Sequence, residues 1–132
     1  MINNLSEDYV SFQVAKLLKE KGFDIYSESY YLDNTKKLIE HVGCYNKLDQ
    51  EKDNPHSIRP THSLAIKWIR ENFKLEVEVR KTIIGYTCYV IDCSSTSVRE
   101  WRINKVEPSN LFQLLEEATE AAIKYALENL IK

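Results

Sequence analysis

Apolar residues recur at helical spacing in three parts of the chain. The first predicted helix ends at the sequence KGF, where Gly22 can adopt the left-handed conformation that terminates a helix and Phe23 can fold back on Leu18. The second begins after Thr61, which is a good N-cap. The third is the longest and is predicted to occupy residues 110–131, with Asn110 as its N-cap and Gln113 completing a capping box. Each helix should bury one apolar stripe.

Between the helices, the side-chain pattern predicts five strands. Residues 25–32 and 37–45 are rich in aromatic and β-branched side chains, are separated by a turn, and should form a hairpin. Residues 75–80 alternate strictly between apolar and charged side chains. The next strand, residues 83–93, is apolar on both faces and should be central, and residues 98–106 are predicted to form the last strand.

The order of these elements predicts the fold class. Residues 46–60 are polar and charged and contain two prolines, which predicts a long mobile loop. The predicted order is then α-β-β-α-β-β-β-α, which is typical of an α+β fold with an antiparallel sheet and helices mainly on one face. A chain of 132 residues fits a single two-layer domain covering residues 1–132.

Two segments of the chain resemble each other, SFQVAKLLKEKGFDIYS (residues 11–27) and THSLAIKWIRENFKLEV (residues 61–77). Each begins with a capping hydroxyl and ends with a left-handed-tolerant residue before phenylalanine, Gly22 in the first segment and Asn72 in the second. A strand pair is predicted after each. The chain is therefore expected either to contain an α-β-β duplication or to repeat the common ending of short helices by coincidence.

Trp68 stands between two cations in the sequence but not on the helix surface. It lies on the apolar stripe with Ala65 and Ile69, whereas Lys67 and Arg70 lie off that stripe. This spacing predicts that Trp68 is a core residue, with its indole N–H seeking a partner, and not an exposed binding group.

Composition narrows the expected compartment and partners. The formal net charge is -2, whereas a protein that neutralises nucleic-acid phosphates is usually basic. Three cysteines, an odd number without tight pairing, favour a reducing compartment. No apolar run approaches the roughly 18 residues that span a bilayer, and the first residues do not have the pattern of a signal peptide. We therefore expect a location in the cytoplasm of the cell that makes the protein and no membrane contact.

Candidate chemistry is sparse in this chain. His41 and Cys44 have chelate spacing, but a strand would place them on opposite faces, and the three glycines form no phosphate-binding loop. We therefore expect no bound metal and no cofactor. The carboxylates Glu76, Glu78 and Asp92 could gather on neighbouring strands as a metal-dependent hydrolase or nuclease site, although a solvated strand face gives the same alternation.

Aromatic and basic residues interleave in the predicted strands. An exposed sheet face that carries them would suit a non-catalytic binding module with a protein or small-ligand partner. The same face is typical of proteins that bind single-stranded nucleic acid, although acidic residues among the cations reduce its positive electrostatic potential. The candidate binding residues are Tyr30, Tyr86, Tyr89, Arg99, Trp101 and Arg102. The broad apolar surface of the third helix predicts either that two layers cover it or that one edge of it is a homodimer contact.

Three motifs carry a resemblance to other proteins. They are KGFD (Lys21–Asp24), PTHSLAIKWIRE (Pro60–Glu71) and EEA (Glu116–Ala118). Together they resemble a group of small uncharacterised proteins encoded in phages, prophages and genomes of gut Bacteroidetes, which share the pattern P-T-x-x-x-A-x-x-W-[LI]-R-E. This chain departs from that group in its longer middle loop and in a mixed-charge insertion before the last helix. The resemblance implies a phage or mobile-element context and an accessory role, as a virion part, a regulator of host machinery or a counter-defence factor. It implies no catalytic residue.

Overall fold

The α+β class predicted from the sequence is confirmed. The computed structural model describes residues 8–44, 55–103 and 111–131. The chain divides into two compact units, Met1–Ala65 and Ile66–Lys132. The described strands form two three-stranded antiparallel sheets where the sequence predicted one, because periodicity identifies strands but does not say which of them pair. That residues 1–132 form a single domain stays a prediction.

The first unit contains one complete helix, one sheet and the first residues of the helix His62–Phe73. Helix α1 (Phe12–Glu20) is followed by strands β1 (Ser27–Leu32), β2 (Leu38–Cys44) and β3 (His56–Ile58). The sheet order is β2-β1-β3, and both pairings are antiparallel. The predicted hairpin is therefore present as β1 and β2.

Strand β3 corrects the prediction of a loop over residues 46–60. Tyr30 pairs with Ile58, and Leu32 pairs with His56, so the end of that segment belongs to the sheet. The three-residue strand is too short to produce a periodic signal, and the prolines on either side of it favour a loop prediction. Residues 46–54 lie outside the described part of the chain.

The end of α1 follows the predicted cap. Gly22 has a φ of 98°, and its N–H donates to the carbonyl oxygen of Lys19 at 3.1 Å. The N–H of Phe23 donates to the carbonyl oxygen of Leu18 at 2.9 Å, which completes a Schellman motif. Phe23 and Leu18 are both fully buried. They belong to the apolar core of this unit, which also contains Val10, Val14, Ala15 and Ile58.

A polar network ties three elements of the first unit together. Ser57 Oγ donates to Asp33 Oδ1 at 2.7 Å, and Lys19 Nζ donates to Asp33 Oδ2 at 3.2 Å. The same ammonium group donates to the carbonyl oxygen of His56 at 2.7 Å. The Asp33 side chain is only 11% exposed, so these contacts satisfy a carboxylate that has little access to water.

Helix α2 (His62–Phe73) begins at the predicted N-cap, since Thr61 Oγ1 accepts a hydrogen bond from the N–H of Leu64 at 3.1 Å. Its end differs from the prediction. Asn72 and Phe73 are still helical, and the left-handed residue is Lys74, with a φ of 56°. The sequence did not predict that Lys74 ends the helix, because lysine is not among the residues that favour the left-handed conformation.

Trp68 is partly buried on α2. Its ring packs edge-to-face against that of Phe73, with the ring centroids 5.2 Å apart. Ala65 and Ile69, which share its stripe, are fully buried. The stripe therefore faces the core as predicted, and Ile69 is its most deeply buried large side chain.

The second unit contains a sheet covered by a helix. Strands β4 (Leu75–Lys81), β5 (Tyr86–Asp92) and β6 (Arg99–Ile103) form an antiparallel sheet in the order β4-β5-β6. Helix α3 (Leu115–Tyr125) packs against all three strands. One face of the sheet is buried and carries Leu75, Val77, Cys88 and Val90. As predicted, β5 is the central strand.

The third helix is shorter than the predicted span of residues 110–131. It starts at Leu115, because the residues before it pair with β5: Tyr86 and Phe112 exchange two backbone hydrogen bonds of 2.7 and 2.9 Å. It continues as a π-helical turn over Ala126–Leu130. The predicted N-cap, Asn110, lies outside the described residues.

The two units agree in part with the predicted α-β-β duplication. A helix precedes an antiparallel hairpin twice along the chain, α1 before β1–β2 and α2 before β4–β5, although α2 begins in the first unit and ends in the second. The third strand joins the first strand of the hairpin in one unit and the second strand in the other. A common origin of the two units therefore stays a prediction.

Candidate functional site

The solvent-facing side of the β4–β5–β6 sheet carries charged and aromatic side chains in rows across the strands. Glu78 is opposite Tyr89, and Tyr89 is opposite Arg102, so these three side chains share one face. We call this surface the outer face. It contains Glu76, Glu78, Arg80, the buried Thr87, Tyr89, Ile91, Glu100 and Arg102.

Tyr89 lies at the centre of the outer face. The guanidinium carbon of Arg80 is 4.5 Å from the centroid of the Tyr89 ring, which is the geometry of a cation–π contact. Arg102 is the direct partner of Tyr89 on β6 and is exposed. A partly exposed tyrosine is thus flanked by two arginines.

Carboxylates balance the arginines of this surface. Arg80 hydrogen-bonds to Glu78 and lies 3.8 Å from Glu100, and the hydrogen bond to Glu78 raises the pKa of Arg80 above its ordinary value. Arg70 of α2 makes a two-pronged contact with Glu76, with both N···O distances 2.8 Å. That contact likewise raises the pKa of Arg70. The outer face therefore carries mixed charge.

Three of the predicted binding residues lie on the opposite side of this sheet. Trp101 pairs with the fully buried Val90, so it faces the α3 side at the sheet edge. Arg99 lies over the Trp101 ring, 5.3 Å from its centroid. Tyr86 pairs with Lys81, whose ammonium is 5.0 Å from the centroid of the Tyr86 ring. Of the six predicted binding residues, only Tyr89 and Arg102 share the outer face.

The remaining predicted binding residue, Tyr30, belongs to the other sheet. It pairs with Ile39 and Ile58 in the first unit, and its ring packs on His56 at a centroid distance of 5.1 Å. It therefore does not belong to the outer face.

The structure does not bring the three predicted carboxylates together. Glu76 and Glu78 lie on the outer face, whereas Asp92 pairs with Leu75 on the buried face. Asp92 accepts hydrogen bonds from Ser94 and contacts Arg99 at 3.1 Å, and these contacts lower its pKa below the ordinary value. Within residues 8–44, 55–103 and 111–131, no three histidine, cysteine, aspartate or glutamate side chains form a metal-binding group.

A pocket in the first unit was missed by sequence analysis. Its volume is about 370 Å³, and its lining includes Arg59, the residue that follows β3. We call it the Arg59 pocket. The lining side chains include Tyr9, Ser29, Glu40, Arg59, Pro60 and Leu64. Arg59 gave no signal because the sequence places it in a predicted loop, and strand β3 alone brings it beside β1.

Comparison with other proteins adds no family assignment. No known protein family, no curated protein and no solved structure matches this chain. Among the helices that the structure describes, none has both the length and the hydropathy to cross a bilayer.

Proposed function

We propose that this protein is a non-catalytic interaction module that binds a partner protein through the outer face. Its context would be a phage or mobile element, as the sequence resemblance implies, and it would act in the cytoplasm of the host cell, as the cysteine content favours. The observation that carries the proposal is Tyr89, which lies partly exposed between Arg80 and Arg102 at the centre of a sheet surface.

The residue types on this surface are those that dominate binding energy between proteins. Tyrosine and arginine are enriched among interface residues whose truncation costs most, and such residues cluster near the centre of the contact area. A tyrosine already held by Arg80 loses little side-chain freedom on binding, which reduces the entropic cost of association.

The charge balance favours a protein over nucleic acid. Glu76, Glu78 and Glu100 share the outer face with two arginines, and a phosphate backbone would meet these carboxylates. A protein surface with its own alternating charges can match both signs, which gives specificity of orientation.

The test is a photo-crosslinking amino acid placed at position 89 in host cells that carry the gene. We expect it to capture a partner protein, which is then purified for calorimetry. Tyr89→Ala and Arg102→Ala should each weaken binding by roughly tenfold or more, because they truncate the centre of the contact. The matched control is Glu117, an exposed residue on α3: the crosslinker placed there should not capture this partner, and Glu117→Ala should leave the affinity unchanged.

Two outcomes would overturn the proposal. One is that the captured partner binds Tyr89→Ala and Arg102→Ala as tightly as the wild-type protein. The other is retention of the wild-type protein on single-stranded DNA at low salt that both substitutions abolish, because the outer face would then be a nucleic-acid surface.

A further inference from the structure

We propose that the Arg59 pocket binds a small zwitterion of the amino-acid class, with its carboxylate on Arg59, its ammonium group on Glu40 and its apolar side chain against Leu64. The pocket lies within the first unit, so this site is separate from the outer face and does not depend on its function.

Arg59 is held in a fixed position inside the pocket. Its guanidinium carbon lies 3.9 Å from the centroid of the Tyr9 ring, and its Nε donates to Ser29 Oγ at 3.0 Å. Its backbone N–H donates to the carbonyl oxygen of Ser29 at 2.9 Å. The side chain is only 14% exposed. A guanidinium fixed on one ring face and at Nε keeps its two terminal nitrogens oriented for a planar anion.

The carboxylate of Glu40 lies beside this guanidinium, but it does not close the site. Its Oε1 is 3.6 Å from a terminal nitrogen of Arg59, which is longer than a hydrogen bond, and its side chain is 50% exposed. A ligand carboxylate can therefore approach the terminal nitrogens of Arg59. A simple anion such as phosphate would be repelled by Glu40, whereas a zwitterion offers an ammonium group to it.

The pocket combines this charge pair with one accessible aliphatic side chain and a size suited to a small ligand. Leu64 is partly buried in its lining and can contact a ligand, whereas Pro60 is fully buried and offers a ligand almost no surface. The volume of about 370 Å³ lies in the range of small-molecule sites. Most of its lining side chains are polar or charged, which suits a zwitterion better than an apolar ligand.

A β-bulge shapes the rim beside Glu40. Ser27 is opposite Cys44 and Ser29 is opposite Glu40, so two steps along β1 span four steps along β2. His41, the residue after Glu40, has a φ of 63° in the left-handed region. Bulges redirect side chains next to binding sites, and here the bulge begins at the row of Glu40, Ser29 and Arg59.

The test is calorimetric titration of the full chain with leucine, methionine and phenylalanine, and with N-acetyl-leucine, leucinamide and inorganic phosphate. We expect saturable binding of at least one free amino acid. Removing the ammonium charge in N-acetyl-leucine or the carboxylate in leucinamide should weaken binding by roughly tenfold or more, since each loses a charge-assisted contact.

Substitutions in the pocket make the assignment specific. Arg59→Lys should weaken amino-acid binding by roughly tenfold, because lysine lacks the planar pair of donors. Glu40→Gln removes the negative charge of an exposed side chain. It should weaken binding of the free amino acid, whose ammonium group contacts Glu40, but not binding of N-acetyl-leucine, which has no ammonium group. Lys16→Ala removes an exposed cation of α1 outside the pocket and should leave binding unchanged.

Three results would overturn the assignment. The first is no saturable binding of any amino acid at several millimolar. The second is that phosphate or N-acetyl-leucine binds as tightly as leucine. The third is that folded Glu40→Gln binds leucine as tightly as the wild-type protein does.

Discussion

The backbone N–H of Phe23 donates a 2.9 Å hydrogen bond to the carbonyl oxygen of Leu18, across a glycine whose φ is 98°. A Cβ at Gly22 would meet no atom within 4 Å, so any cost of replacing this residue comes from the backbone conformation. We predict that Gly22→Ala lowers the free energy of unfolding by about 1–2 kcal/mol, measured by urea denaturation. Gly22→Asn should cost less, because asparagine tolerates the left-handed region. Equal stability of the alanine variant and the wild type would contradict this explanation.

Asp33 joins α1 to β3 through Lys19 and Ser57. Asp33→Ala removes the carboxylate that accepts hydrogen bonds from Lys19 and Ser57. The hydroxyl of Ser57, which is fully buried, then loses its hydrogen bond to this carboxylate. We predict a loss of about 2 kcal/mol in the free energy of unfolding. Asn34→Ala, in the same turn but exposed, is the control and should change stability by less than about 0.5 kcal/mol. A similar effect of both substitutions would show that the network contributes nothing of its own.

The contact between Trp68 and Phe73 can be measured as a coupling energy. Trp68→Ala should lower stability by about 3 kcal/mol, because it removes a large side chain packed on the core side of α2. A double-mutant cycle with Phe73→Leu should give a coupling of about 1 kcal/mol, which is typical of an edge-to-face ring pair. The control cycle uses Ile83→Ala, since that side chain is 99% exposed. A zero coupling for the ring pair would mean that the rings pack independently.

Cys88 makes stability depend on pH in the alkaline range. Burial raises the pKa of its thiol from 9.0 to about 11, so the folded chain keeps a proton that the unfolded chain releases. The contribution to stability is fully present below pH 9, and is lost as pH rises towards 11. Between about pH 9 and 10, the wild type should lose about 1 kcal/mol more than Cys88→Ala. Parallel curves for the two proteins in urea denaturation would contradict the raised pKa.

The elements with strong local signals were predictable from sequence. The strict alternation of residues 75–80 matches β4 (Leu75–Lys81), and KGF gives the cap that the structure has at Gly22. Strand β3 was not predictable, because three residues carry no period and the strand exists only through its pairing with β1. The start of α3 was also missed, since the pairing of Phe112 with β5 is a tertiary contact.

The candidate site shows the same division. Tyr86 and Tyr89 are three residues apart, an odd separation that puts them on opposite faces of one strand. Arg102 and Trp101 are neighbours and diverge for the same reason. The sequence shows which residues of one strand lie on opposite faces, because side chains alternate along a strand. It does not show which of the two faces α3 covers. The Arg59 pocket depends on three strands meeting in register and on Tyr9, which no local pattern indicates.

Strand β6 ends the order β4-β5-β6, so in the described part of the chain it has a paired neighbour on one side only. A strand in that position is a template on which another chain can add and begin to aggregate. Arg99, Glu100 and Arg102 give β6 a charge at three of its five positions, and Trp101 turns towards the α3 side. Charged edge strands resist this kind of addition. The alternating charges of β6 thus protect the folded protein against amyloid-like growth, independently of any partner it binds.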